Sequence, residues 1–141
     1  MYPLFSALSF LAIAHCLGDE PALVSEQSWP RHIIDNSSRG ADGVKLGDLN
    51  NDGLPDVVTG WEEGFNPRIY LHPGKGKVTQ KWPSAIIGRT PSAEDAVFVD
   101  LNGDHYLDVV VSCEGKDQAI YLIFAPKNGE ILDSRQWTQI L

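Results

Sequence analysis

The stretch "GDLNNDGLPDVV" at residues 47–58 sets Asp48, Asn50, Asp52 and Asp56 at positions 1, 3, 5 and 9 of one short turn, with Gly53 at position 6. The same four positions recur as Asp100, Asn102, Asp104 and Asp108 in "DLNGDHYLDVV" at 100–110. Oxygen side chains at alternate positions of a tight loop wrap one side of a cation. Calcium wants about six to eight oxygen ligands and accepts a backbone carbonyl at position 7, here Leu54 in one loop and Tyr106 in the other. Magnesium keeps several waters and demands a near-ideal octahedron, and zinc prefers His and Cys, which neither loop offers at these positions. The expected ion is therefore Ca2+.

An EF-hand and a plain hairpin turn compete with this assignment. An EF-hand shares the DxNxDG opening but needs flanking helices and a bidentate Glu at position 12, where this chain has Thr59 and Val111. Plain hairpin turns also favour Asp and Asn, which hydrogen-bond their own backbone. Two loops in register favour a metal over plain turns, because three carboxylates in one turn repel each other until a cation neutralises them.

The elements that must hold these loops follow from an internal repeat. Asp48 and Asp100 lie 52 residues apart, and the same shift superposes Val57, Val58 and Glu62 on Val109, Val110 and Glu114. "IYL" at 69–71 recurs at 120–122, and "WPRHII" at 29–34 recurs as "WPSAII" at 82–87. Within a unit, short runs rich in Val, Ile and aromatics ("VKLG", "DVVTGW", "RIYL", "WPSAII") are divided by turn formers such as "NNDGLP" and "HPGKGK".

Four short strands per repeat define an all-β fold of β-propeller-type blades, none of which can bury both faces alone. The expected repeats are about 41–87 and 93–141, within a repeat region at 29–141. "WPRHII" is expected as the outer strand of a blade completed from elsewhere, and "WTQIL" at Trp137 as the start of a third unit. Propellers close with about four to eight blades, so an incomplete propeller of two blades is expected to be a fragment, to self-associate into a ring, or to stack unclosed. Of these the fragment is favoured, because the element at Trp137 begins and is cut.

DxNxDGxxD or its near copy between β-strands, repeated behind an apolar leader, resembles the FG-GAP or VCBS-type repeats of integrin α-like β-propellers. The resemblance covers roughly residues 29–126. It implies an exported or cell-surface protein whose Asp-rich hairpin loops bind calcium, with Asp48, Asn50, Asp52 and Asp56 forming one site and Asp100, Asn102, Asp104 and Asp108 the other. The literal Phe-Gly and Gly-Ala-Pro signatures are missing, which places the chain nearer the VCBS-like branch. In the second loop His105 stands where a turn glycine is expected.

Composition agrees with a globular domain: 43% of the 141 residues are hydrophobic and 21% charged. Residues 1–18 are apolar and uncharged, followed by "DEP", and are expected to be a signal peptide rather than a membrane anchor, leading to a secreted, periplasmic or cell-surface location without a membrane span after cleavage. The formal charge of −8 argues against nucleic acid and anionic lipid as partners, since both are recruited by clustered Lys and Arg. Removing the leader takes Cys16 with it, so no disulfide is expected within the domain and Cys113 is expected to be buried in a strand.

Trp61, Glu62, Glu63, Tyr70 and Tyr121 are candidates for contacting a carbohydrate or an extracellular protein, although aromatics at strand positions more often pack the blade. Trp29 and Trp82, at equivalent places, are expected to pack between repeats. GxSxG, HExxH and a phosphate-binding loop are missing, and the paired carboxylates are committed to the loops, so catalysis within these residues is not expected. The function expected is a calcium-stabilised binding, adhesion or scaffold segment. The alternative is a non-catalytic portion of a secreted carbohydrate-active enzyme whose active site lies outside the chain.

Overall fold

The structure, a computed structural model, describes residues 29–116 and 118–141. The chain divides into two compact units, Met1–Pro30 and Arg31–Leu141; of the first only Trp29 and Pro30 are described, and the expected signal peptide lies outside the described residues. The second unit holds eight strands in two sheets. β1 (Ala41–Gly47), β2 (Asp56–Trp61), β3 (Asn66–Tyr70) and β4 (Ser84–Ile86) form one antiparallel sheet in chain order. β5 (Ala93–Val99), β6 (Asp108–Cys113), β7 (Ala119–Phe124) and β8 (Thr138–Ile140) form the other, with a single 3-10 turn at Ser134–Gln136 before the last strand. The protein is all-β, and each sheet is a four-stranded antiparallel blade of the kind the repeat predicts.

Register confirms the equivalence of the two blades. Gly47 pairs with Asp56 as Val99 pairs with Asp108, and Ala41 pairs with Trp61 as Ala93 pairs with Cys113. The first strand of each blade is bulged near its start, between Asp42 and Lys45 and between Ala93 and Asp95.

The tryptophan-led element closes each blade, as expected of "WPSAII" but not of "WTQIL". "WPSAII" supplies β4, and "WTQIL" supplies β8, whose Ile140 pairs with Leu122 of β7. Trp137 therefore leads into the closing strand of the second blade and opens no third unit; its ring is buried and its indole N–H donates to the Ile131 carbonyl at 2.9 Å. Residues 29–34 form no strand, and the outer edge of β3 is taken by β4. A backbone hydrogen bond from the Trp82 amide to the Ile34 carbonyl ties them to the blade. Trp29 is exposed and does not pack between the repeats.

The core lies between the blades, where β5 packs on β1 and β2. Val58, Ile69, Ala85 and Ile87 of the first blade meet Ala93, Ala96, Val109, Val111 and Ile123 of the second. Close approach depends on small residues: a Cβ at Gly60 would fall 2.7 Å from that of Ala93, and one at Gly47 would fall 2.7 Å from the Phe98 ring. Lys45 crosses the seam to Asp95 at 2.7 Å. Cys113 is buried at the end of β6, as expected of a strand cysteine.

Every residue of β2 is buried, whereas β6 alternates after its first two residues. The difference has a local cause. The face of β2 turned away from the second blade is roofed by Trp82 over Val57, Trp61 and Tyr70. Beside them the Tyr70 hydroxyl accepts from the Trp61 indole at 2.8 Å and donates to Asp35 at 2.9 Å, while Arg68 pairs with Asp35 at 2.8 Å and lies over the Trp61 ring. Trp61 and Tyr70 are thus packing residues, and Tyr121 is half-buried. No helix among the described residues is long and apolar enough to cross a membrane.

Candidate functional site

Both Asp-rich segments fall where the repeat places them, in the hairpin loops joining β1 to β2 and β5 to β6. The loops fold on their own side chains. Asp48 accepts the amides of Asp52 (3.0 Å) and Gly53 (3.0 Å), Asn50 accepts that of Asp52 (3.1 Å), and Asp52 accepts that of Leu54 (2.8 Å). In the second loop Asp100 accepts the amides of Gly103, Asp104 and His105, Asn102 that of Asp104, and Asp104 that of Tyr106. The side chains at positions 1, 3 and 5 are therefore turned onto the loop's own backbone, which is how a run of Asp and Asn closes a tight turn.

This winding forces two residues per loop into the left-handed region. Asn51 (φ 57°) and Gly53 (φ 80°) take it in the first loop; their equivalents Gly103 (φ 75°) and His105 (φ 68°) take it in the second. Each loop thus spends one glycine and tolerates one residue with a side chain, at opposite positions. His105 does adopt the conformation that its place predicts.

Position 9 has a role that spacing alone does not reveal. Asp56 and Asp108 are buried, and both oxygens of each are engaged. Asp56 accepts the amides of Leu49 and His72, each at 2.8 Å; Asp108 accepts those of Leu101 (3.1 Å) and Ala125 (2.9 Å). Each carboxylate clamps the start of its own loop to the chain leaving the third strand. Burial pushes the Asp56 carboxyl above its ordinary range, against the amides of His72 and Leu49, and the charge of Asp52 adds to the rise.

The loops differ in one partner. Lys127 reaches Asp104 at 3.1 Å, and the Tyr106 amide with this ammonium holds the Asp104 carboxyl below its ordinary value. No such ammonium meets Asp52 among the described residues. Beside the first loop, Asn50, Leu71, Glu130, Ile131, Asp133 and Arg135 line an open hollow with polar and apolar walls.

A second acidic group sits at the opposite end of the strands. Carboxylate oxygens of Glu62, Glu94 and Glu114 lie within 4.8 Å of one another, which those of the loops do not do among the described residues. Glu62 and Glu114 are repeat equivalents following β2 and β6, and Glu94 comes from the start of β5. Partial burial, then the charges of Glu114 and Glu62, raise the Glu94 carboxyl. The recurrence of Glu62 at Glu114 is visible in sequence; that Glu94 joins them depends on how the blades pack.

A four-stranded antiparallel blade with an Asp-rich first hairpin, repeated face to face, defines a β-propeller-like module of the binding or scaffold kind. Residues 48–111 match the sequence model of the FG-GAP-like repeat, spanning the first loop through the second with most of β6. The chain thus carries an FG-GAP-type repeat over these residues. No solved structure matches it.

Proposed function

We infer that the two hairpin loops are calcium sites that stabilise an exported scaffold. Support comes from one observation: both loops present the same all-oxygen set on the same backbone path, with Asp48, Asn50 and Asp52 matched by Asp100, Asn102 and Asp104. A hard cation is the partner such a set fits, since it holds no nitrogen or sulfur donor that would select zinc. A carboxylate oxygen accepting one amide retains a lone pair for a metal; the Asp100 Oδ1 atom, which accepts two, does not, while its Oδ2 atom accepts one. Asp48, Asn50, Asp52 and Asp56 would hold one ion and Asp100, Asn102, Asp104 and Asp108 the other, with the carbonyls of Leu54 and Tyr106 as further donors. The ion would neutralise the loop carboxylates and lock the hairpin, with no part in catalysis. Lys127 competes for Asp104, so the second site is the weaker.

On this reading the assembled surface serves adhesion or binding, with a carbohydrate or an extracellular protein as ligand. The open hollow beside the first loop offers polar and apolar walls for either.

Calorimetric titration of the chelator-treated full chain with calcium chloride tests the metal. Two sites are expected, Asp48→Ala removing the tighter and Asp100→Ala the weaker. At free calcium about 100 times Kd each site adds about 2.7 kcal/mol to unfolding. A chain that releases no heat and melts at the same temperature with calcium and with chelator would return the loops to ordinary turns.

A further inference from the structure

Asparagine is followed by glycine twice in this chain, at Asn102–Gly103 in the second hairpin loop and at Asn128–Gly129 in the turn after β7. The pair carries a chemistry of its own. Glycine has no Cβ to shield its backbone nitrogen, so that nitrogen can approach the side-chain carbon of the asparagine before it. Once deprotonated it attacks Cγ: the N–Cγ bond forms, the Cγ–Nδ2 bond breaks, and the side-chain nitrogen takes up a proton and leaves as ammonia. Water then opens the cyclic imide at either carbonyl, giving aspartate or, through the β-linkage, isoaspartate. No electrons are exchanged, and water is the only co-reactant.

The fold presents the two pairs alike in several respects. Both asparagines are exposed, and each accepts the amide two residues on, Asn102 that of Asp104 at 2.9 Å and Asn128 that of Glu130 at 3.3 Å. Both glycines have positive φ, 75° and 78°, and a Cβ on either would meet nothing within 4 Å. The difference lies at the attacking nitrogen. The Gly103 amide donates to Asp100 Oδ1 at 2.8 Å, whereas the Gly129 amide donates to no side chain among the described residues.

A hydrogen bond to a carboxylate resists both parts of the step. It must be given up before the nitrogen can turn toward Cγ, and loss of the proton would set a second negative charge against the carboxylate. We propose that Asn128 is the residue at which this chain deamidates, and that Asp100 shields Asn102 from the same reaction. The product places a carboxylate next in sequence to Lys127, whose ammonium meets Asp104 at 3.1 Å. As isoaspartate it also lengthens the main chain by a carbon beside Gly129 and Glu130, which line the open hollow next to the first loop. The shielding of Asn102 comes from the loop's own hydrogen bond and needs no calcium.

Peptide mass spectrometry of the full chain, aged in chelator and mildly alkaline buffer, tests this, with both products counted by their mass gain over the asparagine peptide. In the folded chain Asn128 is expected to convert at least about tenfold faster than Asn102, the ratio that one charge-assisted hydrogen bond supplies. In concentrated urea the two rates should converge. A folded chain in which Asn102 converts as fast as Asn128, or in which neither converts, would overturn the proposal. A difference that persists in urea would overturn it too, by assigning the effect to neighbouring residues in sequence and not to the fold. Asp100→Ala is expected to bring Asn102 toward the Asn128 rate, and a variant that still melts cooperatively yet keeps Asn102 slow would remove Asp100 as the shield. If that variant does not fold, the comparison of folded and urea-treated wild type still decides.

Discussion

The Oδ1 atom of Asp56 lies 2.8 Å from the backbone nitrogen of His72, sixteen residues further along the chain, and Asp108 makes the same bond to Ala125 at 2.9 Å. The last acid of each loop thus holds the third strand of its blade as well as the hairpin. Removing Asp56 strands one buried amide, that of Leu49, and one partly buried amide, that of His72. Asp56→Ala is expected to cost about 2–4 kcal/mol in chelator, at roughly 1–2 kcal/mol per unsatisfied group. Asp48→Ala, which frees amides that water can reach, should cost about 1 kcal/mol. Urea unfolding of the two variants checks the ranking, and equal losses would remove the distinction between clamp and loop.

These clamps mark where sequence ends as a guide. Blade number, strand content and both hairpin loops are legible, because a two-residue alternation and a 52-residue repeat are local patterns. The tryptophan-led element is legible only in part: the strand after Trp82 is expected from its unit, but the strand after Trp137 closes the second blade rather than opening a third, and the like motif at Trp29 forms no strand. The burial of position 9 and its bond to the chain after the third strand show only in the fold, since spacing marks Asp56 and Asp108 no differently from the other loop acids. Glu94 shows no motif, and it meets Glu62 and Glu114 only when the blades stack.

Acid should loosen the outer face of the first blade through Asp35. Its side chain is 3% exposed. Burial by itself would raise its pKa, but hydrogen bonds from Ser37, Tyr70 and Arg68 outweigh that and bring it to about 2. A folded pKa below the unfolded value gives stability that is present above the unfolded pKa, near 3.8, and is lost as pH falls toward 2. The window is worth about 2 kcal/mol at roughly 1.4 kcal/mol per pH unit. Melting temperatures measured from pH 5 to 2 should fall less steeply in Asp35→Asn, which starts less stable.

Glu94 predicts the opposite slope. Its folded pKa is raised, so its ionised form opposes folding above that pKa, and the opposition vanishes below the unfolded value near 4.5. Glu94→Gln should therefore melt higher than wild type at pH 7 and equally near pH 4. The gain should shrink in high salt, which screens the repulsion from Glu114 and Glu62. A variant that melts lower at pH 7 would mean that the Glu94 carboxylate is held by favourable partners.

The swapped glycines of the two loops allow a paired test of backbone strain. His105 carries a side chain at φ 68°, where its repeat equivalent is Gly53 at φ 80°. His105→Gly relieves the left-handed penalty of about 1–2 kcal/mol. The greater freedom of glycine in the unfolded chain, about 0.5–1 kcal/mol, opposes that gain. A net stabilisation of about 0.5 kcal/mol is expected in chelator. Gly53→Ala brings the same penalty into the first loop and is expected to cost about 1 kcal/mol. A Cβ there meets nothing within 4 Å, so the loss would be conformational rather than steric. If urea unfolding shows His105→Gly to be destabilising, the imidazole makes contacts that outweigh its backbone strain, and the loops are less alike than their hydrogen bonds indicate.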